Sequence, residues 1–135
     1  MLKINKRFLI ALLTLALPFG CIGCFGRSGG APATYEQISG AEAKVLMDSE
    51  SGYIIIDART QEEYDQGHIP GAILIPEYEI ADRAEKDLPD KDQLILVYCR
   101  SGRRSKIAAE ELVKLGYTNV KEFGGIIDWK YEIVK

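Results

Sequence analysis

Leu94-Ile95-Leu96-Val97-Tyr98-Cys99-Arg100-Ser101-Gly102-Arg103-Arg104-Ser105 is the stretch on which the reading of this chain turns. Its first part, Leu94 to Tyr98, is an unbroken apolar run too short for a helix, the pattern of a strand buried on both faces. Beyond the loop, residues 105–115 place Ala108, Leu112 and Leu115 on one face and stop at Gly116, as an amphipathic helix does. A thiol therefore stands at a strand-to-helix turn among three guanidinium groups, those of Arg100, Arg103 and Arg104. Such a turn gathers backbone N–H groups and the positive end of a helix dipole, so it favours an anion. Nearby cations also favour thiolate over thiol. A purely structural cysteine is expected inside a strand rather than at its exit.

Outward from this stretch, strand and helix signals alternate. Tyr35 to Ile38 reads as a weak first strand, and Ser39 with Glu42 forms a capping box that opens a helix through about Asp48. The β-branched run Tyr53-Ile54-Ile55-Ile56 is a central strand ending at Asp57. Thr60 and Glu63 make a second capping box, for a short helix that stops near Gly67. Ala72 to Ile75 is another buried strand, closed by Pro76, and Glu77 to Leu88 is helical and mostly exposed. Asn119 to Phe123 is a last short strand, after which Gly124-Gly125 leads into a final helical segment. Strands separated by helices predict an α/β fold with a mostly parallel sheet of about five strands and helices on both faces. Ligands of such sheets bind beyond the carboxyl ends of the strands, where Asp57 and Cys99 both fall.

The chain of 135 residues has room for one domain, predicted over 35–135. Of its 17 basic residues, Lys3, Lys6 and Arg7 lie in an N-terminal segment of another kind. The remainder carries 14 basic against 20 acidic side chains, a charge of −6, with positive charge clustered at 100–106. A local basic pocket in an acidic body suits a small anionic substrate and argues against nucleic acid, which calls for a broad basic face.

Residues 1–24 have the layout of an export signal: the positive Lys3, Lys6 and Arg7, the apolar Phe8 to Leu17, then Pro18 to Cys24 with small residues before each cysteine. The segment resembles a bacterial lipoprotein signal, which implies lipidation at Cys24 in preference to Cys21. An uncleaved anchor over Phe8 to Phe25 is the alternative. Either way the positive end stays cytoplasmic and the domain lies outside, tethered to the membrane by a flexible Gly/Ser/Pro-containing segment at 25–34. Two of the three cysteines belong to the signal, which leaves Cys99 alone in its domain with no internal disulfide partner. A lone thiol in an oxidising compartment is a liability unless it has a task.

Two anion chemistries suit a thiolate in a ring of amides. Cysteine phosphatases use a Cys-x5-Arg loop; here Arg104 is the fifth residue after Cys99 and Ser105 the sixth, so the loop is one residue short. A tighter ring suits one extra sulfur atom better than a tetrahedral oxyanion, and phosphatase or arsenate reductase chemistry is the lesser alternative.

At this point the chain resembles the rhodanese (sulfurtransferase) family over roughly residues 35–135. The resemblance rests on Asp57-Ala58-Arg59, on Glu63 followed by Gly67-His68-Ile69-Pro70-Gly71-Ala72, on the loop from Cys99 to Ser105, and on Gly124-Gly125 with Trp129. It implies a three-layer rhodanese-like fold and a two-step transfer with no cofactor and no metal. The Cys99 thiolate would take the outer sulfur of a small anionic donor such as thiosulfate and pass it to a thiol or cyanide acceptor. The amides of residues 100–104, which include Ser101 and Gly102, would stabilise the persulfide. Arg100 and Arg103 would attract the donor, and Arg104, at the helix start, would hold the loop and add positive potential. Asp57 and Arg59 stand as a pair bracing the loop, with ordinary strand-end polarity as the alternative. His68, the only histidine, is expected to be a structural hydrogen-bonding residue rather than a general base, because a thiolate already formed needs none. Trp129 and Tyr131 are expected in the core, with Trp129 alternatively at the pocket mouth. A second reading of the same loop is a sulfur-carrier module fed by a protein partner.

Overall fold

The computed structural model describes residues 34–135. The signal-like segment, Cys21, Cys24 and nearly all of the tether lie outside them. In chain order the elements are β1 (Glu36–Gln37), α1 (Gly40–Ser49), β2 (Ile54–Asp57), α2 (Gln61–Gln66), β3 (Ala72–Leu74), α3 (Ile80–Asp87), β4 (Ile95–Cys99), α4 (Arg103–Lys114) and β5 (Val120–Gly125). Single 3-10 turns at Glu77–Glu79 and Ile126–Asp128 precede α3 and follow β5. All five strands are parallel, in the spatial order β1-β5-β4-β2-β3.

The alternation of side chains along a strand divides the core between the two faces of this sheet. On β4, Ile95, Val97 and Cys99 point to one face, where they pack with Ile56, Ile80, Ala84, Ala108 and Leu112, so α3 and α4 cover that side. Leu96 and Tyr98 point to the other, against Ala43, Ile55, Ile69 and Phe123, with Leu46, Met47 and Tyr64 of α1 and α2 behind them. All of β4 is buried, which is why its sequence is continuously apolar rather than alternating. A fully buried aliphatic side chain such as Ile56 or Leu112 contributes roughly 1.5–3 kcal/mol relative to exposure.

Both predicted capping boxes form. The side chains of Ser39 and Thr60 accept the N–H of Glu42 and Glu63, and each glutamate accepts the N–H of its cap residue in return. Three boundaries differ from the sequence reading. α4 begins at Arg103, two residues earlier than its periodicity indicates, because Gly102 supplies a left-handed cap with φ +102°. Gly124 and Gly125 belong to β5 instead of following it. The expected final helix is only the turn Ile126–Asp128, and Tyr131, expected in the core, is 43 % exposed, while Trp129 is half-buried against Phe123. No helix among the described residues is long and apolar enough to cross a membrane.

Candidate active site around Cys99

Cys99 is the last residue of β4 and is buried on the α3/α4 face. The chain then turns through Arg100, Ser101 and Gly102 into α4, so the sulfur lies beneath the first turn of a 12-residue helix. That helix has no side-chain cap. Its free N–H groups and the positive end of its dipole are left to the sulfur. The Gly102 N–H reaches Cys99 Sγ at 3.0 Å. Burial pushes the thiol pKa up, but hydrogen bonds from the Ser105 hydroxyl and amide and from the Gly102 and Ser101 amides outweigh it and hold the thiol below its ordinary value.

This acidity has a different origin from the one expected. The sequence pointed to three guanidinium groups, whereas the main contributions come from hydrogen-bond donors, Ser105 foremost. Arg100 and Arg103 are exposed. Arg104, expected to hold the loop and add positive potential, makes a two-pronged ion pair with Glu63, Nη1 to Oε2 at 2.7 Å and Nη2 to Oε1 at 2.9 Å. It still lies close enough to feel the charge of Cys99, so it adds positive potential while tying the start of α4 to α2. Arg104 accordingly holds Glu63 down at a pKa of about 2, with the Thr60 N–H assisting against desolvation.

The loop lies directly on β5. A Cβ on Gly125 would stand 2.0 Å from the Arg100 carbonyl oxygen and 2.5 Å from Ser101 Cα, so only glycine permits this approach. The register between β4 and β5 shifts here: Val97 pairs with Glu122 but Cys99 with Gly125, leaving one extra residue on β5. Such a bulge re-aims a strand end beside a site. The Ile127 N–H also donates to the Arg100 carbonyl at 3.2 Å.

Asp57 and Arg59 form a buried pair, with Arg59 Nη2 at 2.7 Å from Asp57 Oδ2. The pair reaches the loop through Tyr98, whose hydroxyl donates to Asp57 Oδ2 at 2.5 Å and accepts the Ile69 N–H at 3.1 Å. Arg59 also donates to the Gly67 carbonyl at 2.7 Å. The network fastens the Gly67–Ile69 turn to the residue before Cys99. His68 stacks on Tyr64 at a centroid distance of 3.7 Å, and its backbone pairs with Val134. Sequence reasoning passed over Ser105 as a donor and Glu122 altogether; Glu122 is buried and accepts the Ser105 hydroxyl at 2.6 Å. Among the described residues no group of three or more His, Cys, Asp or Glu side chains converges as a metal site would require.

A five-stranded parallel α/β sheet thus ends one strand in a buried thiol at the start of a helix that has no side-chain cap. The rhodanese-like domain model matches residues 39–132, and the chain belongs to that family. It is 45 % identical over 73 residues to the thiosulfate sulfurtransferase PspE of Escherichia coli, covering 54 % of this chain and 70 % of that one. It is 38 % identical over 94 residues to the putative sulfur carrier protein YrkF of Bacillus subtilis, 69 % of this chain and 50 % of the other. Among solved structures, a rhodanese with anions from E. coli superimposes with a TM-score of 0.58 at 42 % identity, over 62 % of this chain and 98 % of that one.

Proposed function

We propose that this protein is a sulfurtransferase that moves sulfane sulfur from thiosulfate, or a related anionic donor, to a thiophilic acceptor through a persulfide on Cys99. The observation that carries this reading is the Cys99 sulfur itself, buried at a strand exit and met by the Gly102 N–H at 3.0 Å. In the first step the thiolate attacks the outer sulfur of thiosulfate. A new S–S bond forms, the old one breaks, and sulfite leaves with its electron pair. The persulfide keeps one negative charge, now on the added sulfur, which the loop amides can hold. In the second step cyanide or a thiolate takes that sulfur, and Cys99 returns as thiolate. Splitting one transfer into two displacements is covalent catalysis.

Arg100 and Arg103 draw the donor to the rim, and Arg104 and Glu63 hold the helix start. The export signal at 1–24, with lipidation at Cys24, would place this chemistry outside the cytoplasmic membrane and tether it there. The similarity to a putative sulfur carrier supports a second reading, in which Cys99 is loaded by a protein partner and turns over thiosulfate poorly.

Thiocyanate release from thiosulfate and cyanide by the full-length chain tests the enzyme reading. Wild type should release thiocyanate catalytically and Cys99→Ser should release none. Arg100→Ala and Arg103→Ala should raise KM for thiosulfate with kcat held. Equal release by wild type and Cys99→Ser would reject the reading.

A further inference from the structure

Four polar or charged side chains are buried among the described residues: Asp57, Arg59, Ser105 and Glu122. Asp57 and Arg59 neutralise one another. Glu122 has no cationic partner within ion-pair distance among the described residues. It stands on β5 two residues after the buried Val120, on the α4 side of the sheet, where a doubly covered strand calls for an apolar residue. A carboxylate kept in such a place is costly and is held there by hydrogen bonds.

Those bonds cross the seam beneath the Cys99 loop. Glu122 Oε1 accepts the Gly124 N–H at 2.8 Å, in the stretch of β5 that carries the extra residue, and the Ser105 hydroxyl at 2.6 Å, from the first turn of α4. A Cβ on Gly102 would stand 3.9 Å from this same oxygen and 3.6 Å from Gly124 Cα, so the loop rests against the corner that Glu122 occupies. Gly124 has a left-handed φ of +86°, and the bond from its N–H to Glu122 fixes that bend of the strand. Gly125, the next residue, is the one against which Arg100 and Ser101 pack. One carboxylate oxygen thus joins the strand that seats the loop to the helix that follows it.

We propose that Glu122 is a positioning residue for sulfur transfer, a clasp that fixes the Cys99 loop on β5 by gripping Gly124 and Ser105 at once. The role rests on Cys99 being the nucleophile of the proposed transfer. What the clasp fixes is the place of Gly102, whose N–H meets the Cys99 sulfur at 3.0 Å. Reach and an acceptor oxygen matter here, and charge does not. In Glu122→Gln a carbonyl oxygen stands at the same reach and can accept both donors. Glu122→Asp keeps the charge but withdraws it by one methylene. Glu122→Leu fills the site with no acceptor at all. The Ser105 hydroxyl then turns to the Gly124 carbonyl oxygen, already at 3.3 Å, and no buried carboxylate is left to be held. The fold should keep its stability while the loop loses its clasp.

The experiment compares these three variants in the full-length chain by thiocyanate release and, independently of turnover, by hydrogen–deuterium exchange of the loop from Cys99 to Ser105. Glu122→Leu should lose about thirtyfold in kcat, Glu122→Asp about tenfold and Glu122→Gln less than about threefold, with KM for thiosulfate within about twofold throughout. Loop exchange should quicken in the same order, by roughly tenfold in Glu122→Leu, while the denaturant midpoint of that variant stays at or above wild type. A merely structural glutamate would lose stability together with activity, and a charge effect would spare Glu122→Asp but not Glu122→Gln. Either pattern overturns the proposal, as does unchanged loop exchange in Glu122→Leu. If Glu122→Leu does not fold, the other two decide: Glu122→Gln above Glu122→Asp supports the clasp, and the reverse or equality overturns it. A wild type that releases no thiocyanate would reject sulfur transfer, and loop exchange would still judge the clasp.

Discussion

α2 and α4 both start beyond a carboxyl end of the sheet, and they open in opposite ways. α2 is closed by its own sequence: Thr60 accepts the Glu63 N–H, and Glu63 accepts the Thr60 N–H in return. α4 opens on Gly102, which has no side chain to offer, and its first-turn donors turn to Cys99. One helix start is satisfied from within, while the other is left for a sulfur atom. The two are joined, because the glutamate that completes the box of α2 also grips Arg104 of α4. The closed start serves as an anchor for the open one. A helix terminus becomes a site when its donors are withheld from local capping and its position is fixed by a neighbour.

The largest effect should come from crowding the open start. Gly125→Ala places a methyl carbon in the loop backbone, 2.0 Å from the Arg100 carbonyl oxygen. The loop must move, at about 1–3 kcal/mol of stability, and a sulfur displaced by about 1 Å should lose on the order of a hundredfold in transfer rate. Denaturant melts and thiocyanate kinetics measure both. An active, equally stable Gly125→Ala variant would mean that the loop does not need this seat.

Cutting the link between the two helices should act more gently. The Arg104 guanidinium holds the Glu63 carboxyl down at about 2, well below the ordinary carboxylate value. Its lowered pKa therefore contributes stability that is complete above about pH 4.5 and is lost as the pH falls towards 2. After allowance for its partial exposure the contribution is about 2 kcal/mol. Glu63→Gln should lose about that much at neutral pH and little near pH 2, so the two stability curves converge in acid. Parallel curves would show that the ion pair does not carry the difference.

The smallest effect should come from opening the closed start. Thr60→Ala removes a cap worth about 1 kcal/mol. It should leave the pH profile of Cys99 alkylation by iodoacetamide where it is, since no donor of α4 is touched. A shifted profile would show that the two helix starts are coupled beyond Arg104.

What was legible in the sequence follows the range of the interactions. The β4 run, the capping boxes of Ser39 and Thr60 and the apolar stripe of α4 are local patterns, and they form as read. The Cys99 loop could be found because its residues are consecutive. What its residues face could not be read, since Arg104 turns to a glutamate 41 positions away and Ser105 to one 17 positions away. Counting charges near Cys99 therefore put its acidity on arginines, when hydroxyl and amide donors supply most of it. Glu122 was invisible for a related reason. A single glutamate in Val120-Lys121-Glu122-Phe123 looks like a solvated side chain until the placement of α4 over that face of β5 is known. Gly124-Gly125 read as the end of a strand because glycine usually breaks one; here close approach of the loop makes glycine the residue that lets the strand continue.

The most direct measurement is the mass of the Cys99 peptide after the full-length chain has met thiosulfate in the absence of any acceptor. The peptide should gain one sulfur atom, lose it on addition of cyanide with release of one thiocyanate, and gain nothing when Cys99 is replaced by serine. A Cys99 peptide that stays unmodified with thiosulfate, polysulfide and a persulfide donor alike would contradict the assignment of this buried, amide-held thiol as a sulfur carrier of any kind.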